Sequence, residues 1–201
     1  MKGLIQYPDT PVPYVDPFRE EILHLLQHDA YKHGDYTLSS GRKSEHYVNC
    51  KPVTLNGKGI GLISPMILDH IPYNTTAVAG LTLGADPLVT GVAMSAYFAD
   101  RELQAIIVRK EPKGHGTNKQ LEGPLPPQGS TITVLEDVTT TGASALKAVN
   151  VLRDNNYTVS QVISIVDRQE EECYNLFKQH NIEYTALFTL EEVSNGQQNK
   201  Q

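Results

Sequence analysis

The chain has 201 residues, 39% of them hydrophobic and 20% charged, and carries a formal net charge of −6. That length and balance fit one globular domain able to bury a core without staples, and they exclude a disordered chain or two full-size domains. The acidic sum, with an isoelectric point near 5.6, also argues against a general binder of nucleic acid or anionic membrane, whose footprint is basic.

The chain opens with an arm containing Pro8, Pro11, Pro13 and Pro17, which favours extended or irregular backbone. This arm lacks the apolar core and small-residue cleavage site of a secretory signal, so a cytoplasmic location is expected. Asp16 and Pro17 form an N-cap and N1 pair, and Phe18, Ile22, Leu25 and Leu26 recur at helical spacing, which predicts an amphipathic helix up to Gly34. His24 and His28, four residues apart on that helix, read as surface histidines rather than metal ligands. Short strands over 36–38 and 46–49, around the turn formers Ser39, Ser40 and Gly41, predict a hairpin. A helical pattern over 58–71 is interrupted by Pro65, which should kink or split it.

From residue 76 onward, strands of β-branched apolar residues over 76–80, 104–108, 130–136, 159–167 and 183–189 alternate with helices over 86–100, 144–155 and 170–180. This order predicts an α/β fold with a parallel sheet covered on both faces. Asp86 and Pro87 repeat the cap-and-proline start. The apolar run at 105–108 has strand length, far below the ~20 residues that span a bilayer. Cys50 and Cys173 form no CxxC unit and read as reduced structural thiols. The sequons at Asn74 and Asn156 read as chance matches, and the polar tail from Ser194 is expected to fray.

Between two strands, residues 111–129 are rich in Gly and Pro and show no apolar period, the mark of a functional or mobile loop. The segment RKEPKGHGTNK at 109–119 sets Arg109, Lys110, Lys113, His115 and Lys119 against one acid, Glu111, a basic island in an acidic chain. The strand Ile132-Thr133-Val134-Leu135 is followed by Glu136, Asp137 and Val138, then by Thr139, Thr140, Thr141, Gly142, Ala143 and Ser144, and then by an apolar-periodic helix. Backbone N–H groups at a helix start, with hydroxyls beside them, suit a monoester phosphate. Two carboxylates at a strand's carboxyl end suit vicinal hydroxyls or a metal. Phosphate, diol and nearby cations together describe a ribose 5-phosphate. The dinucleotide fingerprint GxGxxG and the P-loop GxxxxGK[ST] are both absent.

The stretch VLEDVTTTGAS resembles the phosphoribosyl-pyrophosphate signature of type I phosphoribosyltransferases. YTLSSGRKSEHYVN at 36–49, VRKEPKGHG at 108–116 and VDRQ at 166–169 narrow the likeness to the orotate phosphoribosyltransferase family, in that family's order, over roughly 17–192. The resemblance implies a single transferase domain over 1–201, with a hood largely from 17–56, a core with a five-stranded parallel sheet over about 57–192, and a flexible tail at 193–201. It implies a glycosyltransferase of pyrimidine (UMP) biosynthesis that moves phosphoribosyl from PRPP to orotate, with Mg²⁺ bound mainly through the substrate's pyrophosphate and no metal ligand assigned to the chain.

Carried over by motif, Glu136 and Asp137 would hold the ribose hydroxyls, and 139–144 would cradle the 5′-phosphate. Arg109, Lys110, Lys113 and His115 would meet the pyrophosphate, with Lys113, His115 and Asp137 as the catalytic set. Thr140 and Arg168 would meet orotate, and the backbone near Tyr47 and Val48 would contact the base. The family also implies a homodimer that shares the loop 109–119 across subunits. Two positions depart from some members, since Ser39 and Gly84 stand where those carry lysine. A purine or uracil transferase fits the loop and Arg168 less well. A catalytically dead PRPP sensor is expected to lack the loop and to add a nucleic-acid module.

Overall fold

The computed structural model describes residues 18–37, 41–112 and 120–196. Helix α1 (Arg19–Leu25) passes into a π-helical turn over Leu26–Ala30 and then directly into β1 (Tyr31–Thr37), so the first helix ends earlier than Gly34. The expected cap, Asp16, lies outside the described residues. β1 pairs antiparallel with β2 (Lys43–Val48), and a register shift between His33 and Tyr36 marks a bulge. Both strands of this hairpin start before the predicted segments.

A short α2 (Lys51–Thr54) leads into α3 (Gly57–Asp69), which runs unbroken through Pro65. Asn56 caps α3 by accepting from the N–H groups of Lys58 and Gly59. Burial of Ile63, Met66 and Ile67 in the core outweighs the ~3 kcal/mol penalty of an internal proline.

The main sheet follows as β3 (Ala77–Leu81), β4 (Gln104–Val108), β5 (Leu121–Glu122), β6 (Thr131–Thr139), β7 (Thr158–Asp167) and β8 (Glu183–Thr189), in the spatial order β5-β4-β3-β6-β7-β8. Five strands run parallel, and the two-residue β5 adds an antiparallel edge against β4. Strand order reverses between β3 and β6: the chain moves outward from β3 to β4, then returns to the other side of β3. In open α/β sheets, ligands bind outside the carboxyl ends of the strands at such a switch point.

Helices α4 (Asp86–Phe98), α5 (Ala143–Asp154), α6 (Glu171–Gln179) and α7 (Leu190–Asn195) complete the layers. One face of the sheet buries Ile22, Ile63, Leu88, Leu135, Ile163 and Phe188 with α1, α3 and α4. The other buries Ile106, Ile132, Val134, Val149, Leu152 and Phe177 with α5 and α6. Each such fully buried side chain contributes roughly 1.5–3 kcal/mol.

Two local expectations change. Asp86 is the first residue of α4 rather than its cap, and it accepts a hydrogen bond from the Thr82 hydroxyl. Helix α7 was not anticipated: a reciprocal capping box between Thr189 and Glu192 nucleates it, and Val193 is fully buried where a fraying tail begins in the sequence reading. Replacing Thr189 by Ala removes the cap and is expected to cost about 1 kcal/mol, read as a lowered midpoint in urea denaturation. An unchanged midpoint would mean that the box adds nothing to stability.

Candidate active site

Alternation along β6 sorts its side chains. Ile132 and Val134 point to the α5/α6 layer and Leu135 to the other, so Glu136 falls on the α5 side. The strand continues past its expected end at Glu136 to Thr139, because Val138 and Thr139 still pair with Val166 and Asp167 of β7. Glu136 lines one cleft with Val138, Thr139, Thr140, Thr141, Gly142, Ala143, Ser144 and Ala145.

Gly142 makes this turn possible. Its φ is +80°, and an added Cβ would sit 3.0 Å from the Phe177 ring, so a side chain is excluded by conformation and by packing. No side chain caps α5 at this residue. The Thr141 hydroxyl accepts a long bond, 3.5 Å, from the Ala143 N–H. The first-turn amides of α5 have no intrahelical acceptors and lie at the positive end of a twelve-residue helix, the local chemistry of an anion site.

Glu136 is 7% exposed, and its Oε2 has no partner among the described residues. Burial first, and the adjacent Asp137 second, push its carboxyl well above the ordinary range, against the opposing pull of Lys51. Asp137 accepts from the Val138 N–H at 2.9 Å and faces Lys51, whose Nζ lies 3.7 Å from Oδ2. Across the switch point, the turn after β3 approaches so closely that a Cβ on Gly84 would fall 2.6 Å from the Asp137 carboxylate. A side chain at 84 would displace the Asp137 carboxylate from this position. Lys51, which no sequence motif singled out, is the cation that faces Asp137.

Arg109 and Lys110 sit just past the carboxyl end of β4, two strands from β6. The neck of their loop is a short ladder: Arg109 N–H donates to the Gln120 carbonyl, Val108 pairs with Leu121, and Ile107 pairs with Glu122. The Arg109 guanidinium lies 3.4 Å from Glu122, and Glu111 pairs with Lys147 on α5. Lys113, His115, Lys119 and Ser39 lie outside the described residues.

Arg168 follows β7 and does not pair with Asp167, which instead accepts from the Tyr174 hydroxyl and the Gln169 N–H. It reaches the hairpin, donating to the His46 carbonyl at 3.2 Å and to the Ser44 hydroxyl at 2.9 Å. Burial lowers its pKa, while Glu170 acts in the opposite sense. Arg42 clasps the hairpin to the start of α6 through Glu170 at 2.6 Å and Glu172 at 3.2 Å. Tyr47 stacks on Tyr36 across the strands. Among the described residues, no group of three His, Cys, Asp or Glu side chains is arranged to hold a metal ion.

A switch-point sheet whose central strand delivers two acids and then an uncapped helix start defines a phosphoribosyltransferase of the type I class. A curated orotate phosphoribosyltransferase of Thermosynechococcus vestitus is 56% identical over 151 residues, 75% of this chain and 80% of that protein. The chain belongs to the orotate phosphoribosyltransferase family. The crystal structure of the Mycobacterium tuberculosis H37Rv enzyme with Fe(III) dicitrate superposes with a TM-score of 0.77 at 32% identity, covering 88% of this chain and 99% of that one. The complex of that enzyme with 5-phospho-α-D-ribosyl 1-diphosphate gives 0.73 at 30% identity, covering 88% and 99%. No protein-family model matches the chain.

A carboxyl with a raised folded-state pKa keeps its proton at pH values where the unfolded chain has lost it. Stability therefore falls as pH rises above the ordinary glutamate value of 4.5 towards the folded value. In denaturation series from pH 4.5 upward, Glu136→Gln is expected to relieve that fall, by up to about 1.4 kcal/mol per pH unit. The same pH dependence in variant and wild type would refute the buried-acid account.

Proposed function

We propose that the chain transfers the phosphoribosyl group of PRPP to orotate, releasing pyrophosphate and forming orotidine 5′-phosphate, as a cytoplasmic step of UMP biosynthesis. The observation that carries this reading is the β6–α5 unit, where Glu136 and the hydroxyl-rich turn that starts α5 line one cleft. The PRPP complex of the M. tuberculosis relative supports the donor. Among the described residues, no helix is long and apolar enough to cross a membrane.

Displacement at the anomeric carbon builds positive charge on the sugar and negative charge on the leaving group. In this reading, the amides and hydroxyls of 139–144 hold the 5′-phosphate, while Glu136 and Asp137 hold the ribose hydroxyls and face the developing cation. Arg109 and Lys110 at the loop neck, with Lys113 and His115 beyond it, neutralise the departing pyrophosphate and shield the site from water. Lys113, His115 and Asp137 form the catalytic set, the first two at the pyrophosphate and Asp137 beneath the sugar. Thr140 and Arg168 bind orotate, the guanidinium meeting its carboxylate. Mg²⁺, bound mainly through the pyrophosphate of the donor rather than by side chains of this chain, would supply further neutralisation of the leaving group, as suits a cation that rarely uses an all-protein cage.

The domain reading extends over 1–201, with the hood at 17–56 set on a core that includes α7. A homodimer sharing the loop 109–119 is also part of the proposal. Leu55, Leu83 and Met94 are 72%, 65% and 51% exposed and line one apolar groove. Tyr97 and Phe98, on the same face of α4 one turn beyond Met94, are 75% and 76% exposed. Light scattering is expected to show Met94→Glu as a monomer with reduced turnover, and a dimeric variant would place the interface elsewhere.

The reaction itself is tested by following orotate absorbance with PRPP and Mg²⁺. Lys113→Ala is expected to lower turnover at least tenfold. Activity with another base and none with orotate would contradict the acceptor, and tight PRPP binding without turnover would contradict catalysis.

A further inference from the structure

The contacts of Arg168 with the hairpin leave an informative remainder. A guanidinium presents two forks of parallel N–H groups: one at the end between the two Nη atoms, and one along the side between Nε and the nearer Nη. The hairpin takes the end fork. Nη1 donates to the His46 carbonyl and Nη2 to Ser44 Oγ, and these two acceptors lie 3.0 Å apart, bridged by the Ser44 hydroxyl donating to that same carbonyl. The His46 N–H donates back to Ser44 Oγ at 3.1 Å, which closes a small polar ring and fixes where the hydroxyl points. Nε is buried and has no partner among the described residues.

We propose that Ser44 is a positioning residue: its hydroxyl and the His46 carbonyl hold the end fork of Arg168, leaving the side fork at Nε to take the carboxylate of the acceptor base. The inference rests on the reading of Arg168 given above. It adds a discriminating element in the hairpin, far in sequence from Arg168, that fixes the plane in which the guanidinium meets a planar carboxylate. The ring accounts for both contacts that Arg168 makes with β2 and for its remaining free edge. Without the hydroxyl, the guanidinium keeps only one hairpin acceptor and can rotate about its side-chain torsions, so a two-point match to a carboxylate becomes a one-point match.

The test compares two nucleotides that differ only in this carboxylate. Dissociation constants of orotidine 5′-phosphate and uridine 5′-phosphate are measured calorimetrically on the full chain for wild type, Ser44→Ala, Ser44→Thr, Arg168→Gln and the Ser44→Ala/Arg168→Gln pair. Wild type is expected to prefer the carboxylated nucleotide. Ser44→Ala is expected to shrink that preference about tenfold while leaving uridine 5′-phosphate affinity within twofold, and Ser44→Thr should restore it. Arg168→Gln should abolish the preference, and adding Ser44→Ala to it should change nothing more.

An unchanged preference in Ser44→Ala overturns the proposal. So does an equal loss for both nucleotides with a lowered thermal midpoint, which marks a merely structural serine. A further loss in the double variant also overturns it, since the effect would then bypass Arg168. A full preference retained by Arg168→Gln would instead overturn the reading of Arg168 on which the proposal stands.

Discussion

The close approach of the turn after β3 to the Asp137 side chain at the carboxyl end of β6 is the constraint on which the site depends. Gly84 has no side chain because the Asp137 carboxylate occupies the place its Cβ would take. Gly142, in a left-handed conformation against Phe177, ends the same strand in an uncapped helix start. Between these two glycines, β6 carries Glu136 towards the turn and Asp137 towards Lys51. A larger residue at Gly84 displaces the Asp137 carboxylate, and one at Gly142 strains the left-handed turn after the acids and presses on Phe177. The rest of the sheet supports this crevice: fully buried apolar side chains fill both faces, and on the α1, α3 and α4 side they continue past Leu135 through Val166 and Phe188.

The hairpin is attached in two ways. Tyr31 of β1 is buried in the core with Val48 of β2 packed against it, and polar contacts join the rest to the end of β7 and the start of α6 through Arg168 and Arg42. Tyr31 ties the hairpin internally by a 2.8 Å hydrogen bond to His46, and the Tyr36–Tyr47 stack covers part of one face. A charged clasp of this kind orients the hairpin while adding little to overall stability. Several of the chain's acids are engaged in pairs of this kind: Glu170 and Glu172 with Arg42, Glu192 with Arg19 and Glu111 with Lys147.

The sequence made some parts of this legible and hid others for physical reasons. β4 and β8 coincide with their expected bounds because each is a short apolar run flanked by polar residues. β1 began five residues earlier than its predicted segment, since Lys32, His33, Gly34 and Asp35 lie on a half-exposed, bulged hairpin that shows no alternation. The run of acids after Leu135 looked like a strand end, yet the ladder to β7 continues past them because backbone pairing does not depend on side-chain polarity. Helix α7 was hidden in a six-residue segment too short for periodicity, although Thr189 and Glu192 carried its capping signal. The turn and acids of β6–α5 were readable because their chemistry is contiguous. Lys51 was not, and Ser44, although inside the quoted hairpin motif, gave no sign of its contact with Arg168, because each meets its partner only across the fold.

The central claim is that the amides starting α5, exposed by Gly142, hold the substrate's 5′-phosphate. The most direct test is a titration of the ¹⁵N-labelled protein with ribose 5-phosphate, followed through assigned amide resonances. The account predicts that the largest shifts fall on residues 140–145, with smaller ones at Glu136 and Asp137. Shifts concentrated at the neck of the 109–120 loop, with the α5 start unmoved, would contradict it.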